Sequence, residues 1–137
     1  MSWIDAGVNL TDPRFVLNEL FSRAAQARVH HMLVISSSID ESEQALSLCQ
    51  HHTNNACAAN LQSADEQCVK PSDKAQGSAL INELALACTA GIHPHHAKDA
   101  TRESWIKLNK LIADKQVAAI GECGLDFNRN FSSKKQQ

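Results

Sequence analysis

Four short apolar runs, separated by longer stretches with helical periodicity, constrain this chain more than any other feature. They are Trp3–Val8, Met32–Ile35, Leu84–Ile92 and Val117–Ile120. Each is almost continuously small or apolar and gives way to glycine, serine, asparagine or histidine, the pattern of a strand covered on its faces by other elements. Two parallel strands need a crossover between them, usually a helix. Strands alternating with helices make parallel pairing with right-handed crossovers the default. The expected class is α/β, with about four parallel strands and three helices. Periodicity alone leaves two closures open: a four-stranded open sheet, or part of a barrel.

The segments between the runs carry their own signals. Asp12-Pro13 reads as a helix start, with Asp12 accepting from free N–H groups and Pro13 at the first helical position. Val16, Leu17, Leu20, Phe21 and Ala24 then follow at helical spacing, to about Arg28. Asp40 with Glu43 resembles a capping box for a helix from Glu41 to about Gln50, burying Ala45, Leu46 and Cys49. Asn54-Asn55, Asn60, Pro71-Ser72-Asp73 and Gly77-Ser78 break the rhythm, so the stretch at about 51–87 reads as an irregular insertion. Asp99 or Thr101 caps a helix carrying Trp105, Leu108, Leu111 and Ile112 on one face. The residues after Phe131 are polar and read as the first turn of another helix.

Charge narrows the function classes. The chain has 137 residues, 43% of them hydrophobic and 20% charged, with a net charge of -2. It has no basic stripe of the kind that coats DNA, so a nucleic-acid substrate has to be held by local groups and a metal. The five cysteines are odd in number and contain no CxxC pair, which argues against a zinc ribbon or a secreted disulfide framework. The opening Met1-Ser2-Trp3-Ile4-Asp5 meets an acid at once and does not read as a signal peptide. No run reaches membrane-spanning length. The expectation is a cytoplasmic protein with free thiols and no membrane partner.

If the strands are parallel, their carboxyl ends share one face, where chemistry collects in such folds. That face gathers Asp5, Asn9, Ser36 to Ser38, His93 and Glu122. Oxygen and imidazole donors of this kind suit Mg, Mn or Zn. Glu122, between Gly121 and Gly124, is the candidate metal ligand or acid/base group; its alternatives are capping a helix or facing water. His93 is either substrate-adjacent or hydrogen-bonded at a strand end. His95 and His96 are expected in solvent. The doublets His30-His31 and His51-His52 point neighbouring side chains in different directions and receive no ligand role. Asp126 is a further candidate. Arg129 can meet a phosphate or form a surface salt bridge. Cys123, with no base to activate it, is expected as a small buried side chain.

Three ordered motifs carry a resemblance. Gly121-Glu122-Cys123-Gly124-Leu125-Asp126-Phe127-Asn128-Arg129-Asn130-Phe131-Ser132 resembles the signature of the TatD family of metal-dependent deoxyribonucleases. Ile4-Asp5-Ala6-Gly7-Val8-Asn9-Leu10-Thr11 and Ala90-Gly91-Ile92-His93-Pro94-His95 resemble that family's first and third strand ends. The resemblance covers Trp3 to about Cys49 and about Cys88 to Ser133. It implies the first half of a TIM-type (β/α)8 barrel and metal-assisted hydrolysis that releases nucleotides from a DNA end, 3'-5' on DNA, with RNA as a further substrate. It also implies a catalytic metal-ligand role for Glu122, with Asn9, His93 and Asp126 near the substrate. Many members carry His-x-His where this chain has Gly7 and Asn9, a departure that leaves fewer ligands. Further ligands of the family lie on later strands, so the chain reads as truncated after the fourth strand and inactive alone. The alternative is a non-catalytic remnant or interaction module that pairs through its open sheet edges. Hydrolysis of a non-nucleic substrate on a related barrel is a third reading.

Overall fold

The computed structural model describes residues 2–62 and 84–137. Strand β1 (Trp3–Val8) leads through a turn into helix α1 (Leu17–Gln26), then β2 (Val29–Val34), helix α2 (Ile39–Gln62) and β3 (Ala85–Ala90). A 3-10 helix (Pro94–Asp99), helix α3 (Arg102–Leu111) and β4 (Val117–Ile120) complete the described elements. All pairings are parallel and the strand order is β1-β2-β3-β4. Each strand therefore lies beside its sequence neighbour, as a barrel wall requires. This is the first half of a (β/α)8 barrel.

Helices α1 and α2 pack on the central strands, and α3 packs on α2. Phe21, Met32, Val34, Ala45, Cys49, Leu86 and Cys88 form the centre of the core. Residues of β2 and β3 dominate it because only these two strands have neighbours on both sides. The outer strands are bare in comparison: Trp3 is 57% exposed, Ile4 68% and Ile120 63%. Large apolar side chains at two open parallel edges are the mark of a sheet that closure would cover.

Local chemistry moved several expected boundaries. Asp12 does not cap a helix. Its carboxylate accepts from the Arg14 backbone N–H (2.9 Å) and pairs with the Arg14 guanidinium (2.6 Å). Helix α1 starts four residues after Pro13, at Leu17, behind an uncapped Val16 that is 61% exposed. The short loop Asp12-Pro13-Arg14 satisfies its own polar groups, so the aspartate is spent before the helix begins. Arg28, at φ 61, closes α1 in the left-handed region and hands the chain to β2.

The cap of α2 also shifts. The Glu41 backbone N–H donates to Ser38 Oγ (3.2 Å), while Glu41 Oε2 accepts from the Ser37 backbone N–H (2.8 Å) and Oγ (2.7 Å). The cap is thus Ser38 with Glu41, two residues before the expected Asp40 and Glu43. Helix α2 continues to Gln62, past the expected stop near Gln50. The first part of the supposed irregular insertion, 51–62, is helical, and Ala85 to Ala87 belong to β3. The rest of that expected insertion, 63–83, lies outside the described residues. Thr101 caps α3 in a reciprocal box with Ser104. Of the face expected there, Leu108 is buried but Trp105 is 55% exposed.

Candidate functional site

The end of β2 organises the site through its backbone. Beyond Ile35, whose N–H still donates to Val8 O (3.0 Å), the chain leaves the ladder and its carbonyls reach sideways. Ser36 O accepts the Glu122 N–H (2.8 Å), and Ser37 O accepts the His93 N–H (2.8 Å). The loops after β3 and β4 are therefore tied to one segment. That segment is itself held: Ser36 is fully buried, its N–H donates to Thr89 Oγ1 (3.1 Å), and its hydroxyl donates to Thr89 O (3.1 Å). Gly121 N–H donates to Ala90 O (3.0 Å), which extends the β3–β4 ladder by one rung.

Gly91 is the close-packing point. A Cβ there would lie 2.5 Å from the Gly121 carbonyl carbon and 2.6 Å from Glu122 O. Only a residue without a side chain lets the β4 end approach β3 this closely. Glu122 emerges from this junction with its side chain exposed, in an open cleft of about 570 Å³ lined also by His93, Ile120, Asp126 and Arg129.

A polar network closes one end of the cleft. Asp126 Oδ2 accepts from His95 Nε2 (2.8 Å) and from Arg129 Nε (3.0 Å). Its Oδ1 accepts the backbone N–H groups of Asn128 (3.0 Å) and Arg129 (3.2 Å). The hydrogen bond from His95, followed by the Arg129 backbone N–H, holds the Asp126 carboxyl well below the usual carboxylate range. The His95 ring stands edge-on to both His93 (4.2 Å between centroids) and Phe131 (4.6 Å). Ser132 is buried; its hydroxyl donates to His95 O (3.0 Å) and accepts the Lys98 N–H (3.0 Å), fastening the chain after Phe131 to the 3-10 helix.

Glu122, His93 and Asp126 share the cleft, and Asn9 and Asp5 do not line it. Asn9 Oδ1 accepts from Thr11 Oγ1 (2.7 Å), and Asp5 Oδ1 accepts the Gly7 N–H (3.1 Å). Two expectations are corrected. His95 is half-buried and bonded to Asp126, not solvated; His96 is the exposed member of the pair. Cys123 is exposed, because the chain turns outward at Gly124, where φ is 134°. Among the described residues the buried thiols are Cys49 and Cys88, whose mutual hydrogen bond and burial push the Cys49 thiol up and keep it protonated. The anchoring role of the Ser36 and Ser37 carbonyls has no side-chain signature. His95 was findable: a carboxylate and an imidazole at successive strand ends of a parallel sheet fall within reach of each other.

A divalent ion in a catalytic site takes about three protein ligands. Among the described residues no three His, Cys, Asp or Glu side chains group closely enough to hold one. Among the described residues, the cleft supplies one carboxylate without a hydrogen bond, Glu122, and does not complete a metal centre.

The chain matches the family of TatD related DNases over residues 4–137. It belongs to that family. It is 36% identical over 135 residues to the 3'-5' ssDNA/RNA exonuclease TatD of Erwinia amylovora, and 37% identical to that of Enterobacter lignolyticus; each match covers 97% of this chain and 40% of the relative. The crystal structure of an uncharacterized amidohydrolase from Saccharomyces cerevisiae superposes with a TM-score of 0.73 at 25% identity, over 100% of this chain and 41% of that one. A TatD family hydrolase from Entamoeba histolytica superposes with a TM-score of 0.72 at 22% identity, over 99% and 42%. This TatD-family chain therefore spans about 40% of the length of the curated relatives it matches. Its family is one of hydrolases that includes nucleases. No helix among the described residues is long and apolar enough to cross a membrane.

Proposed function

We propose that this chain carries the amino-terminal part of a metal-dependent phosphodiester hydrolase, a 3'-5' exonuclease acting on DNA ends, with Glu122 as one ligand of its divalent metal (Mg, Mn or Zn). The observation that carries the reading is the placement of Glu122. Its backbone is fixed to Ser36 O, and its carboxylate is exposed in a cleft shared with His93, Asp126 and Arg129. The family match supplies the reaction class. On this reading the chain alone is inactive, because the described residues offer one carboxylate in the cleft, too few donors to hold a divalent ion firmly enough for catalysis. Purified chain incubated with Mn²⁺ and a 3'-labelled single-stranded oligonucleotide should release no more nucleotide than its Glu122→Ala variant. A chelator-sensitive release that disappears in Glu122→Ala would refute the inactivity.

A second reading is supported by the bare edges. Trp3 and Ile4 on β1 and Ile120 on β4 favour association of the chain through its open strands, with itself or with a complementary half barrel. Sedimentation over a concentration series should show association, and a strictly monomeric sample would remove this reading.

A further inference from the structure

The two open edges of the sheet match each other. Val8 pairs with Val34, Val34 with Cys88 and Cys88 with Val117. Val8 is the last residue of β1, whereas Val117 is the first of β4 and stands three residues before its end. The line of partners therefore slips about one residue per pairing, which is the slip that closes an eight-stranded barrel of shear 8. A second copy offers four more strands of the same direction and slip. A two-fold axis along the barrel then sets β4 of each copy beside β1 of the other, in two identical seams. One further step of the slip brings the start of β4 beside the start of β1, and strand end beside strand end.

The side chains along these edges suit such a seam. β1 is bulky at its start, where Trp3 is 57% and Ile4 68% exposed, and small at Ala6 and Gly7. β4 is small at Ala118 and Ala119 and bulky at its end, where Ile120 is 63% exposed. Bulky residues of each edge thus come against small ones of the other. Nothing within the described chain calls for a glycine at position 7: its φ is not positive, and a Cβ there would meet only Ile35 Cγ1, at 3.8 Å. A net charge of -2 per copy opposes the approach only weakly.

We infer that two copies of this chain close into one eight-stranded barrel through two β4–β1 seams. The inference rests on the association reading above and commits it to a second copy. Closure also alters the candidate site. Glu122 lies just past the end of β4 and Asn9 just past the end of β1, so Asn9 of the second copy borders the mouth of the seam beside Glu122. Within one copy Asn9 does not line the Glu122 cleft.

The test is sedimentation over a concentration series, with each edge blocked in turn. A lysine on an edge strand opposes pairing, and Ile4 and Ile120 are exposed enough to be replaced without loss of the fold, which circular dichroism checks. Ile4→Lys and Ile120→Lys should each raise the dimer dissociation constant at least about tenfold, because each substitution spoils both seams. An equimolar mixture of the two variants should associate about tenfold more tightly than either alone. In the mixed dimer one seam joins two unsubstituted edges, and both lysines fall in the other. Independently of these variants, Glu122→Ala should move the Asn9 side-chain amide resonance at dimer concentrations and leave it in place on dilution. A strictly monomeric wild type overturns both the inference and the association reading. Association that only one lysine weakens, no recovery in the mixture, growth beyond the dimer, or an Asn9 amide indifferent to Glu122→Ala overturns the inference and leaves the association reading standing.

Discussion

Replacing Gly91 by alanine should damage the candidate site from beneath. The new Cβ would meet three backbone atoms: the Gly121 carbonyl carbon at 2.5 Å, Glu122 O at 2.6 Å and Gly121 O at 2.7 Å. Carbon contacts relax at about 3.5 Å or more, so the 121–122 segment must retreat by about 1 Å. No flexible side chain can absorb that movement. Overpacking of this kind costs about 1–3 kcal/mol. The retreat also stretches the Glu122 N–H bond to Ser36 O (2.8 Å) and the Gly121 N–H bond to Ala90 O (3.0 Å). Each lost bond adds about 0.5–1.5 kcal/mol, which brings the expected destabilisation to about 2–6 kcal/mol. Urea unfolding should show the midpoint fall with an unchanged slope, and the Glu122 amide resonance should move. Gly7→Ala is the control, since a Cβ there meets only Ile35 Cγ1, at an ordinary 3.8 Å. A Gly91→Ala variant within about 0.5 kcal/mol of wild type, with the Glu122 amide in place, would refute the close-packing argument.

Other expectations concern the anchor, the network and the thiols. Thr89→Val removes the acceptor of the buried Ser36 N–H and should cost about 1–3 kcal/mol in chemical denaturation; a neutral result would mean that Ser36 is satisfied some other way. The lowered pKa of Asp126, caused first by the His95 bond, gives a folded-state preference for the carboxylate. Its stabilisation is complete above the ordinary carboxylate pKa of about 3.9 and fades as pH falls through that value towards the folded one. The amides of Asn128 and Arg129 should therefore keep their positions from neutral pH to about pH 5 and drift only in stronger acid; drift already complete at pH 5 contradicts the assignment. Peptide-mapped alkylation of the native chain should modify Cys123 well before Cys49 and Cys88, and equal rates would mean that the core opens readily.

Much of the fold was readable because it depends on pattern. The apolar runs at Trp3–Val8 and Val117–Ile120 match β1 and β4 to the residue, and their parallel alternation follows from the length of the connections. Helix starts were less legible where two polar residues compete for one role. Asp12 satisfies Arg14 locally, and Ser38 with Glu41 wins over Asp40 with Glu43 because its hydroxyl and carboxylate reach the free N–H groups first in the chain. Asn54-Asn55 suggested a break, yet α2 runs through both, since tertiary packing against β3 and α3 outweighs weak helix propensity. At the site, the position of Glu122 just past the end of the fourth strand was legible. The carbonyl anchors were not, because every residue type carries the same carbonyl. The burial of His95 depends on Asp126, which lies 31 positions away in sequence.

The most direct test of the account is a calorimetric titration of residues 1–137 with Mn²⁺, wild type beside Glu122→Ala. The proposed role of Glu122 predicts weak binding by the wild type and none by the variant, because no second and third donors group beside it among the described residues. Equal binding by the two proteins would contradict it, since the metal would then sit elsewhere and the central role given to Glu122 would fail.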